Sequence, residues 1–209
     1  MPSGWKLNNV RGKGKRPPGI AGQFHGNLTL IASARCMWDD LRDLGDIGGD
    51  TMSVNLAGSF FRRPVDHWAS LHPRFLVEHC VPLKRLFQHQ PAETHIYTHS
   101  IRYAPGIDVI WDILQGNSGT SGMFAILVAL ALGYDRIVVC GLPLDDSGHF
   151  YDNPYKPTIP MDRFGETRVA QLWGHNVNLI QKTNKVRAMS GMTARWFGKP
   201  DKEWLHGNN

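Results

Sequence analysis

The chain has 209 residues, of which 42% are hydrophobic and 20% charged, and it carries a formal net charge of +5. These values are typical of one globular α/β domain and exclude a wholly disordered chain. Three widely separated cysteines argue against a disulfide framework or a CxxC zinc site, and no stretch reaches the roughly twenty apolar residues of a membrane span, so we expect a cytoplasmic protein without such a span.

The first segment, 1–22, is predicted to be a flexible basic arm, with a single domain at 23–209. It combines basic residues with glycines and prolines, and it lacks apolar periodicity. Its four clustered basic residues are Arg11, Lys13, Lys15 and Arg16. Two interpretations stay open: a contact with nucleic acid or another polyanion, and a solubilising tail.

The first half of the domain alternates short apolar runs with helical patterns. NLTLIASA (27–34) predicts a strand followed by a loop, and CMWDDLRDL (36–44) has the apolar spacing of a helix. Further strands are predicted at 50–58, 66–72 and 94–100. A helix is predicted over 73–88, where Pro82 would interrupt or kink it.

The second half of the domain contains the longest apolar run. SGMFAILVALALGY (121–134) is too long for an ordinary strand and predicts a buried helix, capped by Thr120 or Ser121. RIVVCG (136–141) predicts a buried strand, and a last strand is predicted at 186–190. Strands alternating with helices predict an α/β fold, a Rossmann-like, mostly parallel sheet with helices on both faces.

The small polar cluster GNSGTSG (116–122) precedes the buried helix. Ligands of open parallel sheets bind beyond the carboxyl ends of the strands, where helix N-termini also point. Glycines allow close backbone approach, and the hydroxyl groups of Thr120 and Ser121 lie beside unpaired amides. The cluster therefore predicts a cradle for an anion or nucleotide, although a glycine turn before a capped helix would give the same pattern.

The segment TSGMFAILVALALGYDRIVVCGLPL (120–144) resembles the bacterial sialyltransferases of the Campylobacter type. It is similar, more distantly, to the archaeal hydroxymethylpterin pyrophosphokinases. In the sialyltransferase pattern TSG opens a helix, ALGY closes it, and a strand and a glycine-containing loop lead to a tyrosine. VNLAGSFF (54–61) and WGHNVN (173–178) extend the resemblance in weaker form, so that it covers roughly 27–190.

The resemblance implies a role for several residues of this chain. Contacts to the donor nucleotide fall on Thr120, Ser121 and Gly122, and Asn117 belongs to the same cluster. Asn55 would hold the sugar or the transferred group of the donor, and Tyr151 would stabilise the leaving phosphate. His175, in a Gly-His pair before the last helix of the pattern, would be the general base.

The chain departs from the family pattern at two loops. A G-x-G-P-S-like loop after the first strand is replaced by ASARCMW (32–38), which leaves Ser33 as the donor contact there. Asp145 stands where a second tyrosine is expected. The long, proline-containing segment 145–166 is predicted to be a lid over the donor, from which Tyr155 would reach a phosphate.

Three functions follow from these patterns. The first is a sialyltransferase-like glycosyltransferase that uses a nucleotide-activated small-molecule donor, namely a CMP-sugar, with no cofactor and no metal site predicted. The second is a metal-dependent phosphoryl or pyrophosphoryl transferase. The third is a non-catalytic module that binds nucleotides or nucleic acid. The acceptor, a requirement for a divalent metal and a homo-oligomer stay open.

Overall fold

The computed structural model describes residues 20–86, 94–99, 105–111, 120–145, 147–153 and 166–207. They form one seven-stranded sheet in the order β5-β4-β3-β2-β1-β6-β7, in which every neighbouring pair is parallel. The predicted α/β class with a parallel, Rossmann-like sheet is confirmed. The chain order reverses between β1 and β6, the place where open sheets of this kind form a crevice.

The strands are short, as expected for strands buried between helices. Their bounds are β1 Asn27–Ile31, β2 Asp50–Val54, β3 His67–Ser70, β4 His95–His99, β5 Val109–Trp111, β6 Arg136–Cys140 and β7 Val186–Ala188. The helices are α1 Met37–Leu44, α2 Ala57–Phe60, α3 Pro73–Phe75, α4 Val81–Leu86, α5 Ser121–Leu132, α6 Glu166–Thr183, α7 Gly191–Phe197 and α8 Lys202–His206.

Two strands differ from their sequence prediction. The strand predicted over 50–58 ends at Val54, because Asn55 takes a φ of +50° and the chain turns into α2. β5 was not predicted, since three residues are too few for a recognisable alternation. β5 is an edge strand of the sheet, and its three apolar side chains are nevertheless buried.

The predicted interruption at Pro82 takes the form of a π-helical turn. Leu76–Cys80 joins α3 to α4, and the backbone amide of Val81 bonds to the carbonyl of Leu76, five residues back. Proline lacks an amide hydrogen, and its ring would collide with the carbonyl four residues earlier in a regular helix. The wider turn relieves that collision without ending the helix.

α5 is the buried helix that the sequence predicts. It crosses one face of the sheet over β3, β2, β1 and β6, and eleven of its twelve residues are buried. Thr120 caps it, since its side chain accepts a hydrogen bond from the Met123 amide at 3.2 Å. A second core, which includes the fully buried Trp68, lies on the opposite face under α1 to α4.

The last residues of the predicted basic arm pack against the core of the domain. Ile20 and Ala21 were assigned to the basic arm, but Ile20 is buried and Ala21 packs against the core beside α5. The amide of Gly22 donates to the carbonyl of Ala131 at 3.0 Å. The rest of the predicted arm, 1–19, lies outside the described residues. Within the described part of the chain, no helix is both long enough and apolar enough to cross a membrane.

A buried polar network closes the amino edge of the sheet. The Nε2 atom of His67 lies 2.6 Å from the hydroxyl of Tyr134, and its Nδ1 atom lies 2.9 Å from the hydroxyl of Tyr97. Tyr134 also donates to the carboxylate of Asp50. Hydrogen bonds from His67 and Tyr134 lower the pKa of Asp50 against the opposing effect of burial. This network lies at the opposite end of the sheet from the predicted donor site.

Candidate functional site

Asn55 follows β2 at the carboxyl edge of the sheet and is held there by β3. Its carbonyl accepts from Trp68 Nε1 at 2.6 Å, and its Oδ1 atom accepts from the Ser70 hydroxyl at 2.6 Å. Ser70 Oγ itself accepts from the His72 amide at 2.8 Å, so its proton points to Asn55. The amide group of Asn55 is thereby oriented, and none of the described residues bonds to its Nδ2 group. That group can donate a hydrogen bond to a ligand oxygen.

The start of α5 meets the same edge. The Ser121 hydroxyl accepts from the Leu71 amide at 3.2 Å, one residue after the Ser70 that holds Asn55. Thr120 precedes it as the cap. The structure thus brings Asn55 to the carboxyl edge of β2 and β3 together with Thr120 and Ser121. These two residues form the N-terminus of α5, a buried helix of twelve residues. Such a place favours an anionic group.

The other predicted members of this cluster are placed differently. Gly122 is buried, and a Cβ atom at this position would lie 2.6 Å from the side chain of Leu142. Its missing side chain therefore has a packing role, and a contact with the donor stays a prediction. Asn117 and Tyr155 lie outside the described residues, as does most of the predicted lid.

Ser33 and Tyr151 meet at the carboxyl ends of β1 and β6. The Phe150 amide donates to the Ser33 carbonyl at 3.0 Å, which places Tyr151, the next residue, beside the loop after β1. Burial raises the pKa of Tyr151, the charge of Asp152 adds to the rise, and the bond with Ser33 opposes it. The phenol thus keeps its proton at neutral pH and can donate it in a hydrogen bond. β1 lies directly beside β2, so this pair is one strand away from Asn55.

His175 lies within a helix, whereas the resemblance placed its Gly-His pair before the start of a final helix. Its backbone lies inside α6, at the tenth of eighteen positions. Thr183, the last residue of α6, is eight residues further on, which is about 12 Å along the helix axis, so His175 is not at an end of α6. Its side chain is outside the described part of the structure, so its role as a base stays a prediction.

A histidine that the sequence patterns did not single out lies beside Tyr151. The ring of His149 stacks on that of Tyr151 at 4.9 Å between centroids, with 10° between the planes. Its Nδ1 atom lies 3.1 Å from Asp152 Oδ2. The signal that could have found this pair is the spacing of three residues in HFYD, because a turn brings such positions together.

Asp145, noted in the sequence for replacing a tyrosine, has a local role. Its Oδ1 atom accepts from the Ser147 amide at 3.0 Å, which closes an Asx-turn. In the described ranges, no group of three or more His, Cys, Asp or Glu side chains is arranged to hold a metal ion.

A cavity of about 520 Å³ opens at the same edge between α1 and α7. Its lining residues are Asp40, Asp43, Met189, Ser190, Gly191, Ala194, Arg195 and Lys199. None of the residues predicted to bind the donor belongs to it. We place the candidate site at Asn55, Ser121 and Tyr151 instead, because oriented hydrogen-bonding groups at a helix start and a strand crossover identify a ligand site better than cavity volume alone.

Comparison with known proteins identifies the fold. No protein-family model matches the chain, and no curated protein matches it in sequence. Among solved structures, the sialyltransferase CstII from Campylobacter jejuni in complex with cytidine-5'-monophosphate (CMP) is 16% identical, with a TM-score of 0.58 over 88% of each chain. CstII in complex with a trisaccharide acceptor and CMP is 15% identical, with a TM-score of 0.57 over 88% of each chain.

A third structure, the monofunctional alpha-2,3-sialyltransferase Cst-I from Campylobacter jejuni, is 13% identical, with a TM-score of 0.52. The match covers 88% of this chain and 83% of that one. At these identities, the three likenesses establish a shared fold.

Proposed function

We propose that this protein is a glycosyltransferase that uses a CMP-activated sugar as its donor. The observation that carries the proposal is the meeting of Asn55, Ser121 and Thr120 at the carboxyl edge of β2 and β3, one strand away from the loop after β1 that holds Phe150 and Tyr151. The same fold carries CMP in two of the solved structures. Because both of those structures are of a sialyltransferase, the donor sugar that we propose is a sialic acid.

Each group at this edge has a chemical task in the proposed reaction. The start of α5 favours the phosphate, and the hydroxyl groups of Thr120 and Ser121 supply further polar contacts. Asn55 would donate from Nδ2 to the sugar or the transferred group. Tyr151 would donate to the phosphate oxygen as negative charge develops there. His175 is the proton acceptor that the sequence resemblance implies.

The proposal predicts selective stabilisation by CMP and CMP-sugars. Saturation at about one hundred times the dissociation constant stabilises a folded protein by about 2.7 kcal/mol, because the ligand binds only the native state. In a domain of this size, that gain raises Tm by about 5–10 °C. A thermal-shift panel of CMP, CMP-sialic acid, a UDP-sugar, and ATP with Mg²⁺ measures it.

Two asparagine variants localise the effect. Asn55→Ala should abolish most of the CMP-dependent shift, whereas Asn184→Ala should retain it. Both asparagines have a left-handed backbone, with φ of +50° and +54°, but Asn184 lies before β7 at the amino edge. A shift with ATP and Mg²⁺ alone would support the phosphoryl-transferase alternative. No shift with any nucleotide would contradict the proposal.

A further inference from the structure

The turn 149–152 fixes the imidazole ring of His149 from two sides. Asp152 Oδ2 accepts from the His149 amide at 2.6 Å and lies 3.1 Å from Nδ1 of the same residue. The Asp152 amide donates back to the His149 carbonyl at 3.1 Å, which closes the turn. On its other side, the ring stacks on the phenol of Tyr151. The imidazole therefore has a set position, although more than half of its side chain is exposed to solvent.

The second ring nitrogen of His149 is available to a ligand. Burial pushes the pKa of Asp152 upward, but hydrogen bonds from the amide and ring of His149 and the positive charges of His149 and Arg35 outweigh it, so the net pKa is lowered. An ionised carboxylate can only accept a hydrogen bond, so Nδ1 carries a proton and donates it to Asp152. In the described ranges, no residue bonds to Nε2. This atom is thus the one with which the ring can bind a ligand.

The contacts of His149 place its ring on the side of the leaving phosphate. Ala34 in the loop after β1 pairs with His149 in an antiparallel bridge, and Arg35 Nε lies 3.4 Å from the His149 carbonyl. Among the described residues, the titratable or charged groups in contact with His149 are Asp152, Tyr151 and Arg35. The centroids of the imidazole and of the Tyr151 ring are 4.9 Å apart. Both side chains are therefore close enough to bind oxygens of one phosphate group.

We propose that His149, positioned by Asp152, binds the phosphate of the CMP donor as an imidazolium and stabilises that phosphate as it leaves. This inference rests on the proposed function. Nδ1–H donates to the carboxylate and Nε2–H to a phosphate oxygen, and only the charged ring has both donors.

The positive ring acts on charge that develops during transfer. The acceptor oxygen bonds to the anomeric carbon, and its proton passes to the base, the role proposed for His175. The bond from that carbon to the phosphate breaks, and its electron pair passes to the phosphate oxygen. The phosphate of CMP thereby gains one negative charge, which the imidazolium stabilises without giving up a proton.

Transfer assays separate this role from that of the base. His149→Asn keeps an N–H group near the Nδ1 position for Asp152, but its side chain carries no charge. It should lower the transfer rate from CMP-sialic acid by about 10²-fold. It should also remove the basic limb of the pH profile, because the neutral ring of the wild type has no Nε2–H to donate. The acidic limb, which reports a base, should persist, and its loss in His149→Asn would overturn the assignment.

Calorimetric titration with CMP tests the contact without sugar transfer. At about pH 8 the phosphate of CMP is already a dianion, so a proton taken up on binding goes to the protein. Any ring that is neutral before binding takes one up, because the phosphate adds a negative neighbour. Titrations in two buffers of different ionisation enthalpy should show an uptake of up to about one proton in the wild type and less in His149→Asn. Cytidine, which lacks the phosphate, should bind both proteins equally.

The affinities complete the test. His149→Asn should weaken CMP binding by about 10–100-fold, the loss expected for one charged hydrogen bond. His25→Asn is the matched control and should behave as the wild type, since His25 is also exposed but precedes β1 at the amino edge. Equal CMP affinity and equal proton uptake in the wild type and His149→Asn would overturn the inference alone. A wild type that binds no CMP would overturn the proposed function, and the inference with it.

Discussion

Tyr151→Phe is expected to slow sugar transfer by about 10²–10³-fold, since it removes one hydrogen-bond donor from the phosphate oxygen as the glycosidic bond breaks. The ring and its stacking on His149 stay, so the loop should keep its shape. Binding of CMP should weaken less than the rate falls, because the charge on the bridging oxygen develops only in the transition state. Single-turnover rates and calorimetric titration with CMP measure the two effects.

Tyr134→Phe is the matched control for the loss of a tyrosine hydroxyl. It removes two hydrogen bonds from the buried network at the amino edge, to Asp50 and His67, and should destabilise the fold by about 1–3 kcal/mol. The transfer rate of the folded protein should not change. Equal loss of rate in both variants would mean that Tyr151 acts through the fold rather than on the phosphate.

Gly141→Ala is expected to destabilise the protein by about 2–5 kcal/mol, the sum of a left-handed backbone cost of about 1–2 kcal/mol and overpacking of about 1–3 kcal/mol. Gly141 directly follows β6 and has a φ of +70°, and a Cβ atom there would lie 2.4 Å from the Ala32 carbonyl oxygen and 2.7 Å from Met37 Cβ. Its amide donates to Asp40 Oδ2 at 2.8 Å, which holds the turn in place. Urea unfolding measures the loss.

Gly22→Ala separates the two contributions. Gly22 has a φ of +73°, but a Cβ atom there would have no neighbour within 4 Å. It should therefore lose only the backbone contribution, about 1–2 kcal/mol. If the two variants lose the same free energy of unfolding, the close approach between β6 and the loop after β1 contributes nothing.

The alternation of strands and helices was predictable because it rests on local patterns. α5 is an example: its apolar run is long, its cap is a threonine, and Gly133 after it takes a left-handed conformation with a φ of +113°. These features of α5 depend on residues near each other in sequence, and the physics that fixes them acts over the same range. The local pattern did not end β2 at Val54, since it continued the strand to residue 58, and the strand-end position of Asn55 came from the family resemblance.

The details of the site depend on contacts between distant segments and could not be predicted in this way. The Ser121 hydroxyl bonds to the amide of Leu71, fifty residues earlier, and the Phe150 amide bonds to the carbonyl of Ser33, more than a hundred residues earlier. No local pattern states which loop docks on which strand end. The contact between His149 and Asp152 could have been predicted from their spacing of three residues. Their position next to the candidate site could not, because it depends on the bridge between His149 and Ala34 in the loop after β1.

An NMR titration of the ¹⁵N-labelled protein with CMP tests the central claim most directly, since it shows where the nucleotide binds. The account predicts that CMP shifts the backbone amides of Ser33, Asn55 and Ser121 and leaves those of His67 and Ser190 unchanged. Shifts centred on Ser190 and the cavity between α1 and α7, or at the amino edge around His67, would contradict it, as would a spectrum that CMP does not change.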